Sequence, residues 1–194
     1  MASDNQKVRN LSNVRTRMQR FADAKCFNAW VLSMDQQSVV VEVSALEGLD
    51  MGEVFLFQVS GVECCATFQA KLKTMDGPNL VFQITSPVQT SPPYECARMR
   101  TNTEGTLRQG DETYPVLIED VSVGGMGLLT DARVERWQKV TVLAKTAYGG
   151  VKVEGQVRYC KPVQDPKWSF RIGLAVPEMA ETLPLFGIRI SPAA

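Results

Sequence analysis

The chain has 194 residues, 44% of them hydrophobic, which is enough for one large or two small domains with a folded core. Lysine plus arginine and aspartate plus glutamate number 21 each, so no overall charge bias indicates a protein that wraps nucleic acid. Histidine is absent, which removes the commonest general base and metal ligand and argues against an enzyme. No apolar run approaches the roughly 18 residues of a membrane span, and the polar N-terminus lacks a secretory signal, so a cytoplasmic protein is expected.

The cysteines and the N-terminal segment limit the chemistry further. Five cysteines show no repeated metal-ligand spacing, so we predict reduced thiols, no bound metal and no cofactor. Residues 1–25 are locally basic, and their apolar residues recur at helix-like spacings: Val8, Leu11, Val14, Met18 and Phe21. This pattern favours a solvated helix packed by its apolar face. A basic arm that touches a phosphate ligand or an acidic partner is the alternative.

Short β-prone runs separated by turn residues fill the first half of the chain. The candidate strands are 27–33, 38–44, 53–59, 64–73 and 79–85. Five such strands predict a small antiparallel barrel or sandwich in this half.

The second half shows the same organisation after a proline-rich segment. Residues 86–93 contain three prolines among small polar residues, which is typical of an extended, stiff linker. Beyond this linker the candidate strands are 112–118, 126–130, 140–144, 151–159 and 169–176, followed by one or two helical turns in 177–186. We therefore predict an all-β protein with two small antiparallel β-barrels in tandem, domains at 1–88 and 89–194, and minor helical segments at the termini.

A polar turn between two apolar runs is the most distinctive stretch of the second half. It contains Asp120, Ser122, Gly124 and Gly125. The short side chains of Asp120 and Ser122 can bond nearby backbone amides, and the glycines leave no side chain in the way of a ligand. Successive amides in such a turn can form a concave anion site. A hairpin turn capped by its own aspartate is the alternative interpretation of the local sequence.

The Asp-x-Ser-x-x-Gly pattern at Asp120, Ser122 and Gly125 resembles the signature of PilZ domains, which bind cyclic-di-GMP in bacteria. The strand candidates that follow lie at PilZ-like distances, so the resemblance covers residues 93–190. It implies a PilZ-like β-barrel and a cyclic-di-GMP ligand. It also implies that the ligand is contacted by Asp120, Ser122, Gly124 and Gly125.

One part of the sequence departs from this family. PilZ domains that bind the nucleotide carry Arg-x-x-x-Arg just before the first strand, whereas Arg98 has Tyr94 at one family spacing and Asn102 at the other. The resemblance implies that Arg98 and Arg100 supply charge and guanine-edge bonds, with Arg100 substituting from a neighbouring position. A missing arginine costs about 1.5–3 kcal/mol, the range for a charge-assisted bond, so we expect weaker binding than with a complete pair.

The first half of the chain resembles a degenerate repeat of the second half. Residues 30–40 can be laid on residues 117–127 with the same strand–turn–strand pattern, but Ser33, Asp35 and Ser38 stand in place of the Asp, Ser and Gly. The resemblance is to a PilZ-like or YcgR-N-like barrel that lacks the nucleotide motif. The first half alone is therefore not expected to bind the nucleotide.

Two functional hypotheses follow from these patterns. The favoured one is a receptor in which cyclic-di-GMP rearranges the two domains and so controls an unidentified flagellar, pilus or signalling protein. The alternative is a degenerate PilZ adaptor that binds a protein but no nucleotide, and the incomplete arginine pair is its evidence. Neither hypothesis includes catalytic residues or a nucleic-acid polymer as partner. An enzyme has little support, because adjacent cysteines without a histidine or a metal cluster form no recognisable catalytic set.

Overall fold

The computed structural model describes residues 11–43, 45–62, 64–91 and 97–188, and nearly all of its regular structure is antiparallel strand. The all-β prediction is thus confirmed. The chain divides into two compact units, Met1–Arg98 (unit 1) and Met99–Ala194 (unit 2). Each unit has its own strands and its own apolar core.

Unit 1 contains seven described strands. They are β1 (Val14–Arg20), β2 (Cys26–Met34), β3 (Ser38–Val43), β4 (Val54–Ser60), β5 (Cys65–Asp76), β6 (Asn79–Ile84) and β7 (Gln89–Ser91). Six of them pair in the order β1-β2-β3-β6-β5-β4, and β4 pairs with β1 to close the ring. The short β7 pairs with β5 outside that ring.

The core of unit 1 is aromatic. Phe55 and Phe57 alternate along β4 with half-buried residues, so both rings point inward, where they meet Phe68 and Phe82. The ring centroids of Phe57 and Phe68 lie 5.1 Å apart in a stacked pair, and those of Phe57 and Phe82 lie 4.9 Å apart edge to face. Such pairs stabilise the core by about 0.5–1.5 kcal/mol beyond the burial of their area.

The predicted N-terminal helix is wrong over the residues that the structure describes. Residues 14–20 form strand β1, in which Val14, Thr16 and Met18 are buried and the residues between them are exposed or half-buried. The period is therefore two, and Thr16 fills the inward position that an apolar residue usually takes. Its hydroxyl donates to the Gln58 carbonyl at 3.1 Å, which satisfies the polar group there. The earlier part of the predicted helix, residues 1–10, lies outside the described residues.

The described residues of unit 2 form six strands and a short helical segment. The strands are β8 (Met99–Gln109), β9 (Glu112–Ser122), β10 (Gly125–Thr130), β11 (Lys139–Thr146), β12 (Gly149–Pro162) and β13 (Phe170–Ala175). They pair in the order β8-β9-β10-β13-β12-β11, and β11 pairs with β8 to close this ring as well. Its core is aliphatic, with Leu107, Ile118, Leu128, Val142 and Ile172 fully buried.

The helical prediction for the C-terminal segment is confirmed. Helix α1 (Met179–Thr182) is followed by a 3-10 turn over Leu183–Phe186, and Gly187 ends that turn at a φ of 75°. Met179 and Leu183 are buried and attach this segment to unit 2. Among the described residues, no helix is long and apolar enough to cross a membrane.

The predicted linker at 86–93 is described only in part. Gln89–Ser91 forms β7 and pairs with Cys65–Thr67 of β5, so this stretch is ordered as part of unit 1. Pro92 and Pro93 lie outside the described residues. The structure divides the chain after Arg98, and the boundaries 1–88 and 89–194 stay a prediction.

The two rings have the same strand order when β1–β6 are matched in sequence to β8–β13. Their irregularities match too. In unit 1 a bulge skips Leu32 between the pairs Val31–Val41 and Ser33–Val40. In unit 2 a bulge skips Glu119 between Ile118–Leu128 and Asp120–Gly127. These pairs fall at the positions that the alignment of residues 30–40 with 117–127 predicts.

A second bulge is shared in the same way. The β5–β6 pairing skips Lys73, and the β12–β13 pairing skips Arg158. Because bulges bend a strand and re-aim its side chains, two matched bulges give the two rings the same local shape. Every position in unit 2 near these bulges therefore has a structural counterpart in unit 1.

Candidate functional site

The predicted polar turn is a tight β-hairpin between β9 and β10. Ser122 pairs with Gly125, so Val123 and Gly124 alone form the loop. The Ser122 hydroxyl donates to the Gly125 carbonyl at 3.3 Å and is buried beneath the turn. Ser122 thus fastens the hairpin from inside.

The two turn glycines have different environments. Gly125 has a φ of 152°, and a Cβ atom there would overlap the Leu174 carbonyl of β13, so this position requires glycine because two backbones approach closely. Gly124 is exposed, and a Cβ atom there would meet no atom within 4 Å. Of these two glycines, Gly124 is the one that borders open space.

Asp120 is fully buried, and its carboxylate accepts a hydrogen bond from the Arg171 guanidinium in an ion pair. Arg171, on β13, also pairs with the Glu119 carboxylate. Its side chain is only 14% exposed, so the charges of this group are largely removed from water. Pairing offsets the large cost of burying such charges.

Gly127 explains how this ion pair can form. Asp120 lies on β9 and Arg171 on β13, and β10 runs between these strands. A Cβ atom on Gly127 of β10 would lie 2.6 Å from Arg171 Nη2 and 2.7 Å from Asp120 Oδ2. The missing side chain therefore opens the path across the middle strand.

Directly paired residues extend this feature into a row across five strands. Arg100 pairs with Asp120, Asp120 with Gly127, Gly127 with Gly173, and Gly173 with Tyr159. Directly paired residues in antiparallel strands project to the same face of a sheet. We call these five residues the polar row.

The aromatic end of the polar row lies over glycine as well. A Cβ atom on Gly173 would overlap three atoms of the Tyr159 ring, so that ring lies across the glycine. The Lys161 ammonium lies 5.6 Å from the centroid of the same ring. The face thus combines an arginine, a buried carboxylate, an aromatic ring and a lysine.

The arginine segment enters this face through a bulge in β8. Arg100 pairs with Asp120 and Thr103 with Ile118, so two residues of β8 stand opposite one of β9. Asn102 in the bulge has a φ of 46°, and its side-chain oxygen accepts a hydrogen bond from Arg100 Nε at 3.4 Å. Asn102, which stands at one of the two family spacings from Arg98, therefore contacts Arg100.

Arg98 lies just before β8, which begins at Met99, so the strand alternation that would align it with Arg100 does not reach it. Arg98 is half-buried, and its carbonyl accepts a hydrogen bond from the Arg15 amide at 3.1 Å. Together with Arg15 and Arg17, Arg98 lines a surface cavity of unit 1 that has a volume of about 420 Å³. Tyr94, at the other family spacing, lies outside the described residues.

The structure brings together five of the six predicted positions at one hairpin and its neighbouring strand: Arg100, Asp120, Ser122, Gly124 and Gly125. Sequence reasoning missed Arg171 and Tyr159 as site residues. Arg171 is 51 residues from Asp120, so no local spacing links them. The signal that was available is the repeated glycine: Gly127 and Gly173 are unusual in strand interiors, where glycine often marks the close approach of other groups.

A comparison with protein families matches residues 95–183 to the PilZ domain. No curated protein matches the chain significantly. The matched segment contains the whole polar row, the hairpin and the Arg171 ion pair.

Several solved structures are similar to this chain. The K. pneumonia MrkH–c-di-GMP complex is 15% identical, with a TM-score of 0.41 over 84% of this chain and 78% of that chain. The Bacillus subtilis inhibitor of motility MotI/DgrA is 12% identical, with a TM-score of 0.42 over 91% and 94% of the two chains. YcgR from Escherichia coli in complex with c-di-GMP is 13% identical, with a TM-score of 0.39 over 92% and 81%.

Proposed function

We propose that the protein is a cyclic-di-GMP receptor without catalysis of its own, and the match of residues 95–183 to the PilZ domain supports this proposal. The observation that carries the proposal is the polar row, which places a cation, a fastened hairpin and an aromatic ring on one face of unit 2. Cyclic-di-GMP has two phosphates and two guanines. The phosphates bind to cations, and the guanines stack on flat aromatic rings.

Each residue has a distinct role in the proposed complex. Arg100 supplies charge and two-pronged hydrogen bonds to a phosphate or a guanine edge, and Arg98 adds charge from the preceding segment. The Tyr159 ring provides a stacking surface for a guanine. Gly124 lets the nucleotide approach the hairpin backbone because open space surrounds it.

Asp120 and Ser122 act on the nucleotide through the hairpin. Asp120 is fully buried and ion-paired with Arg171, and the Ser122 hydroxyl is bonded inside the turn. Their proposed role is to hold the hairpin in a fixed geometry before the ligand arrives. A preformed site binds more tightly because less ordering is needed on association.

Two observations favour the adaptor alternative. The Asp120 carboxylate is ion-paired within the protein, and Arg98 has no second arginine at either family spacing, where Tyr94 and Asn102 stand. The hairpin therefore needs no ligand to stabilise it. In the adaptor hypothesis the same face binds a protein in motility or pilus assembly.

Calorimetry with cyclic-di-GMP on the full chain tests the receptor proposal. We expect saturable binding that weakens in high salt, because exposed phosphate contacts are screened. Arg100→Ala and Arg98→Ala should each cost about 1.5–3 kcal/mol, the range for a charge-assisted bond. Arg108→Ala is the matched control, since it removes an exposed arginine from the same strand outside the polar row. No heat and no thermal shift with millimolar ligand would leave the adaptor as the better hypothesis.

The proposed receptor acts by favouring one arrangement of the two units over another, which requires that the nucleotide bind one arrangement more tightly. Small-angle scattering of the full chain measures this directly. The radius of gyration should change on saturation with cyclic-di-GMP. An unchanged scattering curve with binding confirmed by calorimetry would exclude rearrangement but not the receptor function.

A further inference from the structure

A basic surface lies on β8, β11 and β12, whereas the hairpin of the candidate site is formed by β9 and β10. The whole chain carries equal numbers of acidic and basic residues, yet residues 133–161 contain seven lysines and arginines against two glutamates. This segment comprises β11, most of β12 and the loop before β11. The positive charge is therefore concentrated in one part of unit 2.

The pairing of β8, β11 and β12 turns this charge into a continuous surface. Alternate residues of β11 and β12 are buried, so the residues between them point outward. A surface cavity with a volume of about 760 Å³ is lined by four cations and one carboxylate, together with the exposed Leu143. The charged residues are Arg108, Lys139, Lys152, Arg158 and Glu154. We call this surface the basic wall.

The cations of the basic wall are available to a partner. Within the described residues, none of its four cations forms an ion pair, and Arg108 Nε donates only to the backbone carbonyl of Gly110 at 3.0 Å. Leu143, in the middle of the wall, is 39% exposed. Unpaired cations around an exposed leucine are unlike an ordinary solvated face of mixed charges.

An exposed tryptophan borders the basic wall. Trp137 is 50% exposed, and the guanidinium carbons of Arg136 and Arg158 lie 4.4 Å and 5.1 Å from its ring centroid. Cation–π contacts of this kind reduce the freedom of both arginines. The ring therefore holds two guanidinium groups in place at the edge of the basic wall.

The backbone of Trp137 is held in a costly conformation. Its φ is 74°, a region that bulky residues rarely adopt. Two hydrogen bonds fix it: its amide donates to the Val157 carbonyl at 2.8 Å, and its carbonyl accepts from Gln156 Nε2 at 3.2 Å. The surrounding strand thus maintains the strain, which is common where a side chain must be presented to a ligand.

We propose that the basic wall docks an acidic segment of a partner protein. Arginine and tryptophan are enriched among the residues that dominate protein–protein binding energy, and Leu143 adds the apolar contact that such interfaces contain. Separate carboxylates on a peptide can pair with the four cations while avoiding Glu154. This surface is separate from the nucleotide site, and the proposal does not depend on cyclic-di-GMP binding.

Two features favour a protein over a nucleic acid as the occupant. The guanidinium groups of Arg136 and Arg158 already lie over the Trp137 ring, so a base that stacked on the ring would have to compete with them. A nucleic acid also carries phosphates at a short, regular spacing, and Glu154 within the wall would repel them.

Fluorescence anisotropy of the full chain tests the proposal with a labelled synthetic peptide rich in glutamate with two leucines. The expected result is saturable binding, with amide shift changes in nuclear magnetic resonance spectra confined to β8, β11, β12 and the Trp137 loop. The same peptide with glutamine in place of glutamate should not bind. No saturable binding of the acidic peptide at low salt would overturn the proposal.

Charge reversal provides the matched comparison. Lys152→Glu with Arg158→Glu should weaken peptide binding by about ten-fold or more, because both introduce repulsion as well as removing attraction. Lys73→Glu is the control, since the β5 bulge places it in unit 1 at the position that Arg158 occupies in unit 2. Unchanged thermal unfolding shows that the variants fold. Equal loss in both variants, or preferential binding of oligothymidylate or phosphatidylglycerol vesicles over the peptide, would contradict the proposal.

Discussion

The Arg171 guanidinium reaches the Asp120 carboxylate across strand β10, because Gly127 has no side chain to block the contact. The ion pair joins β9 and β13 by side chains across β10, in addition to the backbone ladder. It also fixes the strand from which the hairpin of unit 2 emerges. The geometry of the candidate site therefore depends on a glycine that touches no ligand.

Gly127→Ala is expected to destabilise the protein by about 1–3 kcal/mol, because the added methyl group forces the Arg171 and Asp120 side chains apart in a packed region. Gly124→Ala is the control, since its Cβ atom meets nothing within 4 Å. Urea unfolding of both variants measures the difference. Equal stability of the two variants would show that the ion pair moves aside without cost.

Removal of the arginine alone is expected to be more harmful than removal of the whole pair. Arg171→Met removes one ion pair from the fully buried Asp120 and should cost about 3 kcal/mol. Adding Asp120→Leu should restore part of that loss, because the buried charge is then gone as well. Urea unfolding of the two single variants and the double variant gives the coupling energy. A purely additive result would contradict a direct interaction.

Most strands could be predicted because their side chains alternate clearly. Val39, Val41 and Val43 are buried on β3, and the observed strand Ser38–Val43 agrees with the predicted range 38–44 up to residue 44, which lies outside the described residues. Strand β8 escaped prediction because its residues are polar and only Leu107 is buried. Its place in the ring comes from pairing on both sides, with β9 and β11, which a local pattern does not encode.

The candidate site was predictable only where it is local. The Asp120–Gly125 hairpin follows from turn composition and from the family signature, and the structure confirms its position. Arg171 and Tyr159 join it through pairings between strands that are distant in sequence. The prediction that Asp120 contacts ligand is untested, although its full burial favours an indirect role.

Asp23 should make the stability of unit 1 depend on pH in the acidic range. The hydrogen bond from Arg20 is the main cause that lowers the pKa of Asp23 from 3.8 to about 2, with the Lys25 amide adding to it. A carboxyl group with a lowered folded-state pKa contributes stability above its unfolded pKa, and that contribution is lost as the pH falls towards 2. The effect should be modest, because the pair is partly exposed and screened by solvent.

Thermal unfolding of the wild type and Asp23→Asn measures this contribution. The wild type should unfold at the higher temperature at pH 6, and the gap should shrink between pH 4 and pH 2. Asp76→Asn is a suitable control, since Asp76 is exposed at the β5–β6 turn and forms no ion pair among the described residues. A gap that stays constant with pH would show that Asp23 stabilises the fold without its charge.

The matched bulges allow a test of why only unit 2 is proposed to bind the nucleotide. In unit 1 the counterparts of Asp120, Gly127, Gly173 and Tyr159 are Ser33, Val40, Val81 and Thr74. A valine fills each position at which unit 2 has glycine, and no aromatic ring lies at the end of the row. Unit 1 thus keeps the strand framework of the site without its charge, its glycine floor or its stacking surface.

Tyr159→Ala should therefore weaken cyclic-di-GMP binding by about 1–3 kcal/mol, the range for one base stacked on an aromatic ring. Thr74→Ala changes the counterpart position on unit 1 and should leave the affinity unchanged, because no nucleotide is proposed to bind there. Calorimetry of both variants in the full chain measures the two effects side by side, and unfolding curves separate lost binding from lost stability. Equal weakening by both substitutions would mean that the nucleotide is not confined to unit 2. If Tyr159→Ala binds as tightly as the wild type, the ring is not a stacking surface and binding would have to depend on the arginines alone.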